Sequence, residues 1–216
     1  MQIFQIPLKY LFGVNCYLIK TETGYYLIDT GIPKVRDHLE KSINDTGCEF
    51  GDLKLIIITH GHMDHVGNAV YLRDKYGAKI AMHKGDAQMA EGGDMFVDTK
   101  EGTLISMIGV FAKVFGLEAP KFAPDILLED NQSLMEYGLD AKVIYNPGHS
   151  EGSISIYTAD HDLFCGDLFN NDKKPQKASI IQDAEKLDAS VEKIKSLETA
   201  TVYPGHGKPF TMDQLE

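Results

Sequence analysis

The aliphatic run Leu55-Ile56-Ile57-Ile58 leads straight into Thr59-His60-Gly61-His62-Met63-Asp64-His65. A short, wholly apolar run of this kind reads as a buried strand. The cluster of histidine and aspartate therefore sits at a strand's C-terminal end, where α/β proteins gather their ligands. Imidazole nitrogens and carboxylate oxygens suit zinc, iron or manganese. The absence of a nearby cysteine argues against a thiolate structural site.

The 216 residues are enough for a sizeable core, and we expect one domain over 1–216. A net charge of -11 without a basic stretch makes the chain a poor binder of polyanions. We therefore expect a small-molecule substrate and no nucleic acid. The three cysteines Cys16, Cys48 and Cys165 are odd in number and widely spaced, which suits a reducing compartment. No run approaches the roughly 20 apolar residues of a membrane helix, and the first residues alternate like a strand. The expectation is a cytoplasmic protein with no membrane partner.

In chain order, residues 2–6, 15–20 and 24–29 read as strands, with Thr23-Gly24 as a turn. Pro33 opens a helix to about residue 44, and Gly47 stops it. After the His/Asp cluster, Val66 to Tyr76 reads as a helix, 79–82 as a strand and 84–90 as another helix. Residues 91–125 break the pattern. Within them, Leu104, Ile108, Phe111 and Phe115 line one face of an amphipathic stretch, which packs on the core or serves as a lid or a homodimer contact through 103–117. Strands are expected at 141–145, 154–157, 163–165 and 201–203, and a helix at 183–197. Cys165, two residues before Asp167, shares its side of the strand and reads as a core thiol.

Two strands end in the same Pro-Gly-His device, Pro147-Gly148-His149 and Pro204-Gly205-His206. Proline keeps the preceding residue extended, glycine lets the backbone turn, and histidine projects past the sheet edge. A third strand end carries Asp167, and an earlier one carries Asp29. The strand-end candidates are thus His60, His62, Asp64, His65, His149, Asp167 and His206, which are five of the eight histidines and two acids.

With these residues, His60-x-His62-x-Asp64-His65 followed by His149, Asp167 and His206, the chain resembles the metallo-β-lactamase-fold superfamily, in particular its glyoxalase II-like group. The resemblance spans about residues 13 to 209. It implies an α/β fold (α+β by some schemes), a four-layer αβ/βα sandwich with the site at one edge between two sheets. It also implies a centre of two divalent metals, zinc foremost, with iron or manganese as alternatives. His60, His62 and His149 would hold the first metal; Asp64, His65 and His206 the second; Asp167 would bridge. Asp29 would steady a metal-bound histidine.

Such a centre lowers the pKa of water toward roughly 7, providing a metal-bridging hydroxide at neutral pH. Asp64 is the candidate to accept or relay the attacking proton. The resemblance implies hydrolysis of a thioester, ester or lactone carbonyl. A phosphodiesterase and a persulfide dioxygenase-like, oxygen-dependent enzyme with a single iron are the alternatives. Asp167 at the bridging position counts against antibiotic hydrolysis.

Overall fold

The computed structural model describes residues 1–10, 13–93 and 120–215. The expected lid or dimer helix at 103–117 lies outside the described residues, as does most of the 91–125 segment.

Six strands form the first sheet: β1 (Gln2–Lys9), β2 (Gly13–Lys20), β3 (Tyr25–Ile28), β4 (Leu53–Ile58), β5 (Lys79–His83) and β6 (Ile126–Leu128). They lie side by side in chain order. β1, β2 and β3 pair antiparallel, whereas β3 through β6 run parallel. Parallel strands need crossovers, and helices supply them. α1 (Arg36–Asn44) follows a 3-10 turn at Pro33–Val35, and α2 (Met63–Val66) and α3 (Ala69–Tyr76) follow β4. α4 (Lys84–Gly92) follows β5.

The second sheet contains β7 (Ala141–Tyr145), β8 (Ile154–Thr158), β9 (Asp162–Asn171), β10 (Gln176–Lys177) and β11 (Thr201–Gly207). β7, β8, β9 and β10 pair antiparallel in that order, and β11 runs parallel along β9. The crossover into β11 is α5 (Ala184–Lys195), capped by the Asp183 side chain, which accepts from Lys186 N.

Alternation of side chains within the strands sorts the core into three slabs. Leu27, Ile56 and Ile58 face Leu39 and Ile43 of α1 and Leu72 and Tyr76 of α3. Their strand neighbours Tyr26, Ile28, Leu55 and Ile57 face inward, onto Val143, Ile154, Ile156 and Phe164 of the second sheet. Beyond that sheet, Ile144, Leu163 and Val202 meet Leu187, Val191 and Ile194 of α5. Helix, sheet, sheet, helix is the four-layer order. It also explains why the Leu55–Ile58 run has no polar alternation, since all four side chains are fully buried.

The structure corrects several expectations. The single helix over 66–76 is two helices, and the first begins at Met63, so Asp64 and His65 lie on a helical turn. The break falls at Asn68, whose Nδ2 donates to the carbonyls of Thr30 and Ile32, at 2.7 and 2.8 Å. The strand expected at 201–203 runs on to Gly207, with register shifts around Pro204. β6 and β10, three and two residues long, carry too little periodicity to be read from sequence. Cys165 does not share the face of Asp167. It joins Leu163 in the outer slab, and Gly166, at φ 51 in the left-handed region, ends the alternation.

Candidate metal centre

All seven sequence-derived residues converge at one edge of the two sheets, in three overlapping groups: His60, His62 and His149; His60, His65 and Asp167; Asp64, His65 and His206. In each group the candidate ligand atoms lie within 4.8 Å of one another.

β4 delivers the first four residues. Its end is tied to Asp29, which directly follows β3 and holds the unusual φ of 58. From that position the Asp29 carboxylate accepts from Thr59 N and Thr59 Oγ1, each at 2.8 Å, and from His65 Nδ1 at 2.8 Å. Thr30 N and Oγ1 both donate to His65 O, at 2.7 and 2.8 Å. The metal loop is therefore fixed to the neighbouring strand's end at both its start and its fourth candidate ligand.

The hydrogen bonds assign the tautomers. Thr59 Oγ1 donates to Asp29, so it accepts from His60 Nδ1 at 3.1 Å. His149 Nδ1 donates to Ile180 O at 2.7 Å, and His206 Nδ1 to Gly13 O. In His60, His65, His149 and His206 the second nitrogen, Nε2, is thus the one turned to the centre.

For the first group, His60 Nε2, His62 Nδ1 and His149 Nε2 form a triangle with sides of 2.9, 3.1 and 3.2 Å. Imidazoles bound tetrahedrally at about 2.0–2.1 Å place their nitrogens about 3.3 Å apart, so this triangle has the dimensions of three ligands to one ion. Burial first, then the neighbouring imidazoles, hold His60 well below the ordinary histidine range. The same causes push His62 down to about 3. The unprotonated nitrogens of His60 and His62, turned to one another, repel unless something positive lies between them.

In the second group, His65 Nε2 lies 3.7 Å from Asp64 Oδ2, and His206 Nε2 lies 3.4 Å from the same oxygen. Asp167 lies between the groups. Its Oδ2 is 3.2 Å from His206, 3.5 Å from His149 and 3.9 Å from His60, while its Oδ1 is 3.4 Å from His65. Burial opposes charge throughout this half. It lowers the two histidines, but the facing carboxylates win and raise His65 and carry His206 up to about 10. Burial likewise raises Asp64, yet His65 and His206 hold it at about 2.

A divalent ion fits this donor set. His65 Nε2 and Asp167 Oδ1 are buried atoms with no hydrogen-bond partner, a costly state that coordination would relieve. The backbone also leaves room for Asp167: a Cβ on Gly205 would lie 2.2 Å from its Oδ1.

The family description of the metallo-beta-lactamase superfamily matches residues 10–206. The chain belongs to this superfamily. Among its curated members, "Beta-lactamase-like protein 2 homolog" of Caenorhabditis elegans is 26% identical over 198 residues, covering 90% of this chain. The alignment takes in 56% of that relative, so the chain spans little more than half its length. "Probable metallo-hydrolase YflN" of Bacillus subtilis is 26% identical over 223 residues, covering 91% of this chain and 81% of that one. Among solved metallo-beta-lactamase-fold structures, TTHA1623 in a di-iron-bound form superposes with a TM-score of 0.73 at 28% identity, covering 98% of this chain and 96% of that one. The three His/Asp groups are of a kind that could hold divalent metals. Among the described residues, no helix is long and apolar enough to cross a membrane.

Sequence reasoning overlooked the residues that hold this metallo-beta-lactamase centre from behind. Asn15 Nδ2 donates to the carbonyls of Pro204 and Gly207 at 3.0 and 2.8 Å, and Tyr17 Oη donates to Pro204 O at 2.7 Å. β2 of the first sheet thereby fixes the end of β11 that carries His206. Asp86, fully buried, takes hydrogen bonds from both loops of the first group. Neither Asn15 nor Asp86 stands at a strand's C-terminal end, so the strand-end rule passed over both.

Proposed function

We propose that the chain is a dinuclear metal-dependent hydrolase acting on the carbonyl of a thioester, ester or lactone. His60, His62 and His149 would hold one ion, Asp64, His65 and His206 the other, with Asp167 between the two sets. The observation that carries this reading is the position of Asp167, with its two oxygens 3.2 to 3.9 Å from histidines of both groups. Zinc suits the mixed nitrogen and oxygen donors. The di-iron form of TTHA1623 favours iron as the alternative.

When bound, divalent ions supply Lewis acidity and lower the pKa of coordinated water toward roughly 7. The chain's own residues do the rest. Asp64, with its side chain 29% exposed, is the acid of the cluster open to incoming water and substrate. Its carboxylate accepts the proton of the attacking water. Asp29 keeps His65 in one tautomer, as the carbonyls of Ile180 and Gly13 do for His149 and His206. The leaving group needs little help if it is a thiolate, whose conjugate acid has a pKa of about 8.5.

Metal content per chain, read together with a substrate panel, tests the reading. Two zinc or iron ions per chain with thioesterase, esterase or lactonase turnover is the expected result. One iron with oxygen uptake and no hydrolysis would replace it with the oxygenase alternative, and turnover on phosphodiesters alone with the phosphodiesterase one.

A further inference from the structure

Asp86 lies in the first turn of α4, outside the set of candidate ligands, and its side chain is fully buried. Its Oδ2 accepts from Gly61 N at 2.7 Å and from Ser150 Oγ at 2.7 Å, and its Oδ1 accepts from Gly152 N at 2.6 Å. Gly61 stands between His60 and His62, and Ser150 directly follows His149. One carboxylate therefore grips the two loops that supply the three nitrogens of the first group. Those loops come from different sheets, and the donors are 25, 64 and 66 positions away along the chain.

The joint is tight on every side. A Cβ on Gly152 would lie 2.3 Å from Asp86 N and 2.6 Å from its Oδ1, and one on Gly85 would lie 2.8 Å from Gly152 Cα. α4 itself is anchored at this end, where His83 Nδ1 accepts from Gly85 N at 3.1 Å. Ser150 is further braced by Ser153, which receives its backbone N–H at 3.1 Å and pairs with its hydroxyl at 2.7 Å. Hydrogen bonds to a charged acceptor are roughly twice as strong as neutral ones, so the carboxylate defines the spacing of the loops more firmly than an amide would.

We propose that Asp86 is a positioning residue for the first metal, setting the distance between His60 and His62 on one loop and His149 on the other. The proposal rests on the metal-binding reading above. It goes beyond it by assigning the geometry of the three-histidine half to a residue that touches no ion. Asp86→Asn is the discriminating change. An amide offers one oxygen in place of two and turns its NH2 toward a backbone N–H, so at least one of the three bonds is replaced by two opposed donors.

The test uses the full chain, stripped of metal and titrated with cobalt(II) and zinc against a chromophoric chelator. The absorption of the cobalt form and the thermal midpoint of the metal-free form are recorded alongside. Each variant is also made with His206→Ala, which leaves His60, His62 and His149 to be read alone. We expect Asp86→Asn to weaken the first metal about 10- to 100-fold and to change the cobalt spectrum. Ser150→Ala, which removes one of the three bonds, is expected to give a severalfold loss. A lowered metal-free midpoint with unchanged affinity and an unchanged cobalt spectrum would make Asp86 a purely structural residue and overturn the proposal. Should Asp86→Asn fail to fold, Ser150→Ala decides, and wild-type affinity in it is the overturning result. An unmodified chain that binds neither metal would sink the metal-binding reading itself, and the proposal with it.

Discussion

Asp29 Oδ2 accepts a hydrogen bond from His65 Nδ1 at 2.8 Å, while Asp29 itself sits at φ 58. A backbone conformation that side chains seldom adopt is held here by the side chain it aims. Asn tolerates the left-handed region, so Asp29→Asn tests the carboxylate without forcing the chain. We expect the metal held by Asp64, His65 and His206 to weaken about 10- to 100-fold, with the three-histidine set keeping its ion. Metal per chain after graded dialysis against a chelator measures this. Two ions retained at wild-type affinity would remove Asp29 from the site.

Asp64→Asn keeps shape and removes the base. Turnover should fall by about 10² or more, the usual scale for losing a general base, while one metal per chain survives on His60, His62 and His149. The readouts are kcat on the best substrate of the panel and metal content. Wild-type kcat would refute the role given to Asp64.

Proton competition should separate the two halves. His206, raised to about 10, carries a proton at neutral pH that an ion must displace. His60 and His62 are depressed, His62 to about 3, so their nitrogens are already free. Affinity of the second metal should therefore rise about tenfold per pH unit for each displaced proton between pH 6 and 9, whereas His60 and His62 add no such dependence to the first. The sign follows from His206 holding its proton until the pH passes its raised pKa. Calorimetric titration in buffers of different ionisation enthalpy counts the protons released. Equal release at both steps would contradict the assignment.

Gly205→Ala places a methyl 2.2 Å from Asp167 Oδ1 and 2.9 Å from His65 Cε1. Overpacking of this kind costs about 1–3 kcal/mol. We expect a lower thermal midpoint and loss of the second metal, because Asp167 and His65 are the atoms displaced. Thermal unfolding with metal analysis checks both, and an unchanged metal count would mean that the β11 backbone yields.

What could be read from the sequence was what is local. Pro147-Gly148-His149 and the His60–His65 cluster announce themselves within a few residues, because a strand's end and a turn are short-range events, whereas Pro204-Gly205-His206 lies inside β11 and Asp167 inside β9 rather than at the strand ends expected. Asp86 could not be read, since an aspartate in the first turn of a helix is ordinary and its meaning lies in Ser150 and Gly152, 64 and 66 positions away. Asn68 is similar: it ends one helix and starts another through the carbonyls of Thr30 and Ile32, which only tertiary packing brings near. The face assigned to Cys165 failed for a local reason. Strand alternation presumes an unbroken pleat, and Gly166 interrupts it.

His60 and His149, whose Nε2 atoms meet at 3.1 Å, are 89 positions apart in the chain. A ribosome therefore presents His60, His62, Asp64 and His65 long before His149, Asp167 and His206 exist. An ion that meets the early segment finds two incomplete sets, each with two of its candidate ligands. Under the proposed metal binding, occupancy becomes a record of synthesis: the three-histidine set closes only after His149 has been made and brought to the first sheet, and the other set only after His206. Chains halted before His149 complete neither set, and chains halted before β11 complete only the three-histidine one.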